Sequence, residues 1–141
     1  MSPIKPFQAY RPKPQLAGKL ASVPYDVINT KEARQLAEGN PVSFLHVARP
    51  ESNLPEGVDE HSDEVYAAGV NALKKLIAEG TLLHEDKPCL YVYQQRMGDH
   101  VQACLVCLCS VKEYESDLIK KYEYTRKDKE DDRARHVAEQ N

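Results

Sequence analysis

"CLYVYQQRMGDHVQACLVCLCSV", residues 89–111, holds the hairpin signal of the chain. Two β-rich runs flank Gly98-Asp99, a two-residue connection with glycine first, as a type II′ hairpin turn requires. The second run is apolar on both faces, which predicts a central strand covered from both sides. Cys104, Cys107 and Cys109 fall within it. Cys104 and Cys107 have the spacing of a metal or redox pair, but positions three apart on a strand face opposite sides. Cys107 and Cys109 share a side at about 7 Å, beyond easy disulfide geometry. The cysteines read as small buried hydrophobes of a reducing compartment, and neither zinc nor haem is expected.

Before the hairpin lies the clearest helix. Val65, Tyr66, Gly69, Val70, Leu73, Leu76 and Ile77 recur at three-to-four spacing from about Ser62 to Glu79, and Gly80 supplies the C-terminal cap. Further upstream, Asn29 offers an N-cap with Glu32 as the reciprocal partner of a capping box, and Gly39 closes that shorter helix. "VSFLHVARP", 42–50, reads as a compact strand bounded by prolines, with His46 as a packed strand histidine. "IKPFQAYRPKP", 4–14, is an extended edge segment broken by prolines, and "ASVPYDVINT", 21–30, is extended again. The order of elements predicts an α+β fold: a mixed sheet with two packed helices and a β-hairpin, followed by a charged C-terminal helix.

The 141 residues carry a net charge of -3, which argues against a whole-domain footprint for nucleic acid. The first residues lack a signal-peptide core, and the apolar run "ACLVCLC" is too short to span a bilayer, so a cytoplasmic protein without membrane contact is expected. The six glycines form neither a dinucleotide fingerprint nor a P-loop.

Chemistry concentrates in "KYEYTRKDKEDDRARH", residues 121–136. Thr125 can cap a helix here, with acidic residues in its first turn. Lys121, Arg126, Lys129 and Arg133 suit a phosphate, while Glu123, Asp131 and Asp132 suit Mg²⁺ or a substrate proton. Seven cations against five anions in residues 120–136 equally describe a solvated, salt-bridged helix, and composition alone favours that description. Asp26, in "VPYDVI", is either a turn residue or a site acid held near Tyr25. Arg49 is an anion-binding candidate. His61, His84 and His100 fall at element ends and carry no cluster signal. The helix over "RARHVAEQN" turns Val137 and Ala138 to an apolar face and reaches Asn141 without a stop, which predicts an incomplete domain.

Four blocks in order, "IKPFQAYRPKPQLAGKLASVPYDVI", "EARQLAEGNPVSFLHVARPE", "LPEGVD" and "IKKYEYTRKDKEDDRARH", resemble the N-terminal part of the DUF1015 family, whose function is unassigned. Members are longer than this chain, so the resemblance implies that residues 1–141 are one N-terminal portion whose C-terminal part is missing. Full-length members carry a downstream Asp-Gly-His-His-Arg motif similar to that of ParB/sulfiredoxin-like proteins, which include free-serine kinases. The resemblance thereby implies a phosphotransferase that uses ATP or ADP with Mg²⁺ on a small metabolite. The alternatives are a ParB-like regulatory module that binds nucleic acid or nucleotide without catalysis, and a fragment inactive by itself.

Matching positions are Pro24, Tyr25 and Asp26; Asn40, Pro41, Phe44, His46 and Arg49; and Glu123, Thr125, Arg126, Lys129, Glu130, Asp131, Asp132, Arg133 and His136. By this reading Glu123, Asp132 and Asp26 are catalytic. Arg49, Arg126, Lys129, Arg133 and His136 hold phosphate or nucleotide, and Asp131 and Asp132 hold the metal. The chain departs from the family pattern at Lys127, where proline is common, and at Tyr122, where histidine is usual. An ordinary phenol titrates about three pH units above imidazole, so a base at that position is lost here.

Overall fold

The computed structural model describes residues 2–121 and 124–140. Its strands are β1 (Ile4–Lys5), β2 (Tyr10–Pro12), β3 (Leu82–His84), β4 (Tyr91–Met97), β5 (His100–Val106) and β6 (Leu108–Cys109). Its helices are α1 (Ala17–Leu20), α2 (Thr30–Ala37), α3 (Leu45–Ala48), α4 (Asp63–Ala78), α5 (Val111–Glu115) and α6 (Lys127–Gln140). The class is α+β with the charged C-terminal helix in place. The chain divides into two compact units, Met1–Arg11 with His84–Tyr124, and Pro12–Leu83 with Thr125–Asn141.

In the first unit β4 and β5 form the expected antiparallel hairpin, closing at the pair Met97 and His100. Gly98 has φ +60°, and among the described non-glycine residues only Asp117 has a positive φ, so Asp99 takes the ordinary hand and the turn is type II′. β1 pairs antiparallel with β6, and Phe7 bridges Cys89 through two backbone hydrogen bonds of 3.0 and 2.9 Å. The pairings in this unit are antiparallel, in short two-stranded pieces, where one mixed sheet was expected. β5 is not a central strand: β4 is its partner, and every residue of β5 is exposed. Apolar residues on both faces of a strand signal cover on both sides only where something packs there, and among the described residues of this unit nothing does.

The cysteines also depart from expectation. Cys104 and Cys109 are exposed, Cys89 and Cys107 half-buried, and all four are free thiols. The Cys107 and Cys109 sulfurs stand 3.9 Å apart, because Cys107 lies in a break between β5 and β6 and the regular strand spacing does not apply to it.

The second unit is helical around Leu20, Val47, Leu76 and Leu82, with Phe44, Ala72, Leu73 and Ile77 packed on them. α2 begins as its sequence requires. The Asn29 side chain accepts from the Glu32 N–H at 2.9 Å, and Glu32 Oε2 accepts from the Asn29 N–H at 2.8 Å, a complete capping box. α4 ends before Gly80, whose φ of +65° suits a helix stop.

Residues 42–50 are not a strand. The Asn40 carbonyl accepts from the Ser43 N–H, and α3 then carries His46 before a 3-10 turn over Pro50–Asn53. A short apolar run buried on several sides reads alike as strand or helix, and here Leu45 and Val47 are both buried. Gly69 of α4 lets that turn approach closely: a Cβ there would lie 3.3 Å from Pro50 Cγ. Residues 24–27 form a turn, closed by the Val27 N–H on the Pro24 carbonyl at 3.4 Å, where extended chain was expected.

α6 starts at Lys127, one residue later than a Thr125 cap would place it. The Arg126 carbonyl takes the first helical N–H groups, and the Thr125 hydroxyl donates to Glu130 Oε2 at 3.0 Å instead. The buried residue of α6 is His136, whereas Val137 is 61% exposed, so no apolar face forms there. No helix among the described residues is long and apolar enough to cross a membrane.

Candidate functional site

Helix α6 presents Lys129, Asp132, Arg133 and His136 at offsets of three, four and seven, which places them on one face. An ordinary amphipathic helix buries apolar side chains at such positions. This one covers the Asp132 carboxylate and leaves Lys129 exposed. Within the second unit, that face meets α4 and the segment from Arg49 to His61.

Asp132 is the centre. Its side chain is 10% exposed, and its two oxygens accept from opposite sides. Oδ1 accepts from the Tyr66 hydroxyl at 2.8 Å and lies 3.2 Å from His61 Nδ1 and 3.8 Å from His136 Nε2. Oδ2 accepts from Arg133 Nε at 3.0 Å and from its Nη2. Burial alone raises the carboxyl pKa, but the hydrogen bonds from Arg133 and Tyr66, with the charges of Arg133 and His136, outweigh it and bring the value down to about 2. The group is an ionised carboxylate at neutral pH.

Its neighbours are held in complementary forms. Burial, and then the Arg133 charge, lowers the His136 pKa, so its imidazole is neutral at pH 7. Burial and the hydrogen bond to Asp132 raise that of Tyr66, which stays a phenol. The His136 ring packs edge-on against Tyr66 with centroids 4.7 Å apart. Arg133 lies over the Tyr25 ring at 4.2 Å, so the turn at Pro24 serves to present an aromatic face to a cation. Arg135 covers Tyr66 at 3.9 Å and pairs with Asp63.

A second ion cluster adjoins the first. Arg49, just beyond α3, has Nε 2.7 Å from Glu51 Oε1 and Nη2 3.6 Å from Glu60 Oε1. The Nε–H does not point along the Glu51 contact, so that contact is ionic and not an aligned hydrogen bond. Arg49 Nη2 also donates to the Thr30 hydroxyl at 3.1 Å, which in turn donates to Glu60 at 2.6 Å. Tyr25, Arg49, Lys129, Asp132, Arg133 and His136, with Glu51, Glu60 and His61, enclose a cavity of about 20 Å³.

The predicted residues therefore divide. Arg49, Lys129, Asp132, Arg133 and His136 come together from two distant stretches. Asp26 is exposed on the turn beside Tyr25 and does not line the cavity. Arg126 pairs with Asp128 at 2.7 Å and Asp131 with Lys127 at 2.9 Å, all four exposed. Glu123 and Tyr122 lie outside the described residues. His46 is a helical residue whose Nδ1 faces Asn53 Oδ1 at 2.6 Å and whose Nε2 faces the Asn40 carbonyl at 3.0 Å. Among the described residues no three His, Cys, Asp or Glu side chains gather as a metal-binding group.

Sequence reasoning missed Tyr66, His61, Glu51, Glu60 and Thr30. Tyr66 was absorbed into the apolar stripe of α4, although a buried phenol requires a partner and so announces a polar neighbour. His61 stands at an element end, where nothing local marks it.

No curated protein and no solved structure matches the chain. Residues 4–141 match the model of a family described as "Protein of unknown function (DUF1015)", and the chain belongs to that family.

Proposed function

We propose that the polar face of α6, with Arg49 and Tyr25, is the phosphate-handling part of a nucleotide-dependent phosphotransferase acting on a small metabolite. The observation that carries this reading is the convergence of Arg49, Lys129, Arg133 and His136 around one ionised carboxylate, on a helix face where stability alone would favour apolar side chains.

The cations differ in availability. Arg133 is committed to Asp132, and Arg49 to Glu51, Glu60 and Thr30. Lys129 lines the cavity, is exposed, and forms no ion pair among the described residues, so it is the cation that a phosphate would meet first. A cavity of 20 Å³ holds about one water, so in this reading the anion sits at the rim beside Lys129 and Arg133 and not within. Asp132 then acts through others: it fixes the Arg133 guanidinium, while neutral His136 stands behind it.

The donor set does not fit Mg²⁺ at Asp132. Its oxygens already accept from Tyr66, from Arg133 twice, and face His61, and Asp131 is paired with Lys127 on the solvent side.

Calorimetric titration of the protein with inorganic phosphate, ADP and ATP tests the reading. Binding of at least one of them is expected, weakened tenfold or more in Lys129→Ala and unchanged in Arg126→Ala. A wild-type protein that binds none of the three overturns it.

A further inference from the structure

In the first unit the chain changes partners at Cys107. β5 pairs with β4 up to Val106, opposite Tyr91, and β6 pairs with β1 from Leu108, opposite Lys5. The residue between them belongs to neither ladder. In a regular strand the side chains of residues 107 and 109 would stand about 7 Å apart on one side. The break brings their sulfurs to 3.9 Å, with Cys109 exposed and Cys107 half-buried.

One chemistry requires no movement at that distance. A disulfide needs its sulfurs at about 2.05 Å. Two thiolates on one tetrahedral d¹⁰ cation, with metal–sulfur bonds of about 2.3 Å, stand ~3.8 Å apart along the edge of the tetrahedron. The two sulfurs, in contact with each other as free thiols, can therefore take such a cation without moving, whereas a disulfide requires them to approach.

We propose that Cys107 and Cys109 form a bidentate dithiolate site for a soft divalent cation of the zinc and cadmium class. Binding forms two metal–sulfur bonds, breaks two S–H bonds and releases two protons, with no change of oxidation state. The other cysteines are engaged elsewhere: Cys89 Sγ donates to the Lys87 carbonyl at 3.3 Å, and Cys104 Sγ accepts from Gln102 Nε2 at 3.7 Å. With no third His, Cys, Asp or Glu completing a metal-binding group among the described residues, two coordination positions remain for water or other exogenous donors. Such a site is open and exchangeable, unlike the closed four-ligand sites that hold a fold together.

The test is titration of the reduced protein with Cd²⁺, followed by the sulfur-to-cadmium charge-transfer absorption. A band that saturates at no more than one Cd²⁺ per chain is expected. Cys107→Ser and Cys109→Ser should each lower the affinity at least tenfold, and Cys104→Ser should leave it unchanged. A readout on the wild-type protein, independent of how variants fold, is alkylation: Cd²⁺ should slow iodoacetamide labelling of Cys107 and Cys109 and not of Cys89. The proposal is overturned by absence of the band, by its survival in the double Cys107→Ser/Cys109→Ser variant, or by labelling of all four cysteines unaffected by Cd²⁺. Closure of the pair to a disulfide in place of metal uptake overturns it in favour of a redox function.

Discussion

The Tyr66 hydroxyl donates a 2.8 Å hydrogen bond to Asp132 Oδ1, joining α4 to α6 across 66 positions of sequence. Tyr66 is 4% exposed, so neither partner can exchange the other for bulk water. A hydrogen bond to a charged group contributes about 1.5–3 kcal/mol, and most of the loss on deletion comes from the acceptor left short of donors. Tyr66→Phe keeps the ring against His136 and removes only the donor. It should destabilise the protein by about 1–2 kcal/mol in urea denaturation, and should raise the Asp132 carboxyl pKa, read by NMR titration of the side-chain carbon. An unmoved carboxyl pKa would show that Tyr66 does not hold the carboxylate in its ionised form.

The same carboxylate sets part of the acid stability. Asp132 titrates at about 2 in the folded protein against an ordinary 3.8, so its stabilising contribution is complete above about pH 4 and is lost as pH falls through 2. Its size is roughly 2 kcal/mol. His136 acts in a higher window with the same sign. Burial and the Arg133 charge lower its folded pKa below the ordinary 6.5, so the neutral ring favours folding above about pH 6.5 and that contribution is lost on acidification below it. Denaturation midpoints measured from pH 7.5 to pH 2.5 should therefore fall in two stages. Asp132→Asn should abolish the lower stage and His136→Gln the upper one.

How legible these arrangements were depended on how local their causes are. The Asn29 capping box, the Gly98-Asp99 turn and the stop at Gly80 each follow from a few adjacent residues, and each was readable in the sequence. "VSFLHVARP" was not, because whether Val47 faces a sheet or a helix bundle is decided by Leu20 and Leu76, which are remote in sequence. The site follows the same division. Asp132, Arg133 and His136 stand out as polar residues at helical spacing, whereas Tyr66, His61 and Glu51 become part of it only once α4 and α6 are in contact.

Glycine substitutions separate packing from propensity within one unit. Gly69 and Gly18 both lie in helices, where alanine is intrinsically better by about 1 kcal/mol. At Gly18 an added Cβ meets nothing within 4 Å, so Gly18→Ala should stabilise by a few tenths to about 1 kcal/mol. At Gly69 it would lie 3.3 Å from Pro50 Cγ and 3.5 Å from the Val47 carbonyl, and the Pro50 ring is fully buried and cannot yield. Gly69→Ala should therefore destabilise, by about 1 kcal/mol after the propensity gain is counted. Thermal denaturation of the two variants should shift in opposite directions. A stabilised Gly69→Ala would mean that the turn at Pro50 is free to move away from α4.

Arg49 and Glu51 bring a buried ion pair beside the candidate site, with side chains 13% and 6% exposed. Removing one partner of such a pair costs about 3–5 kcal/mol because a charge is left buried alone, whereas replacing both with apolar groups is often neutral. Glu51 retains the Thr30 hydroxyl at 3.5 Å, too long to compensate for a lost guanidinium. Arg49→Met should therefore destabilise by about 3 kcal/mol, and adding Glu51→Leu should recover most of that loss, as a double-mutant cycle in urea would show. The double variant also separates folding from function. If Arg49 serves the phosphate site, the stable double variant binds phosphate more weakly than wild type. If it binds equally well, Arg49 belongs to the architecture and Lys129 and Arg133 carry the anion.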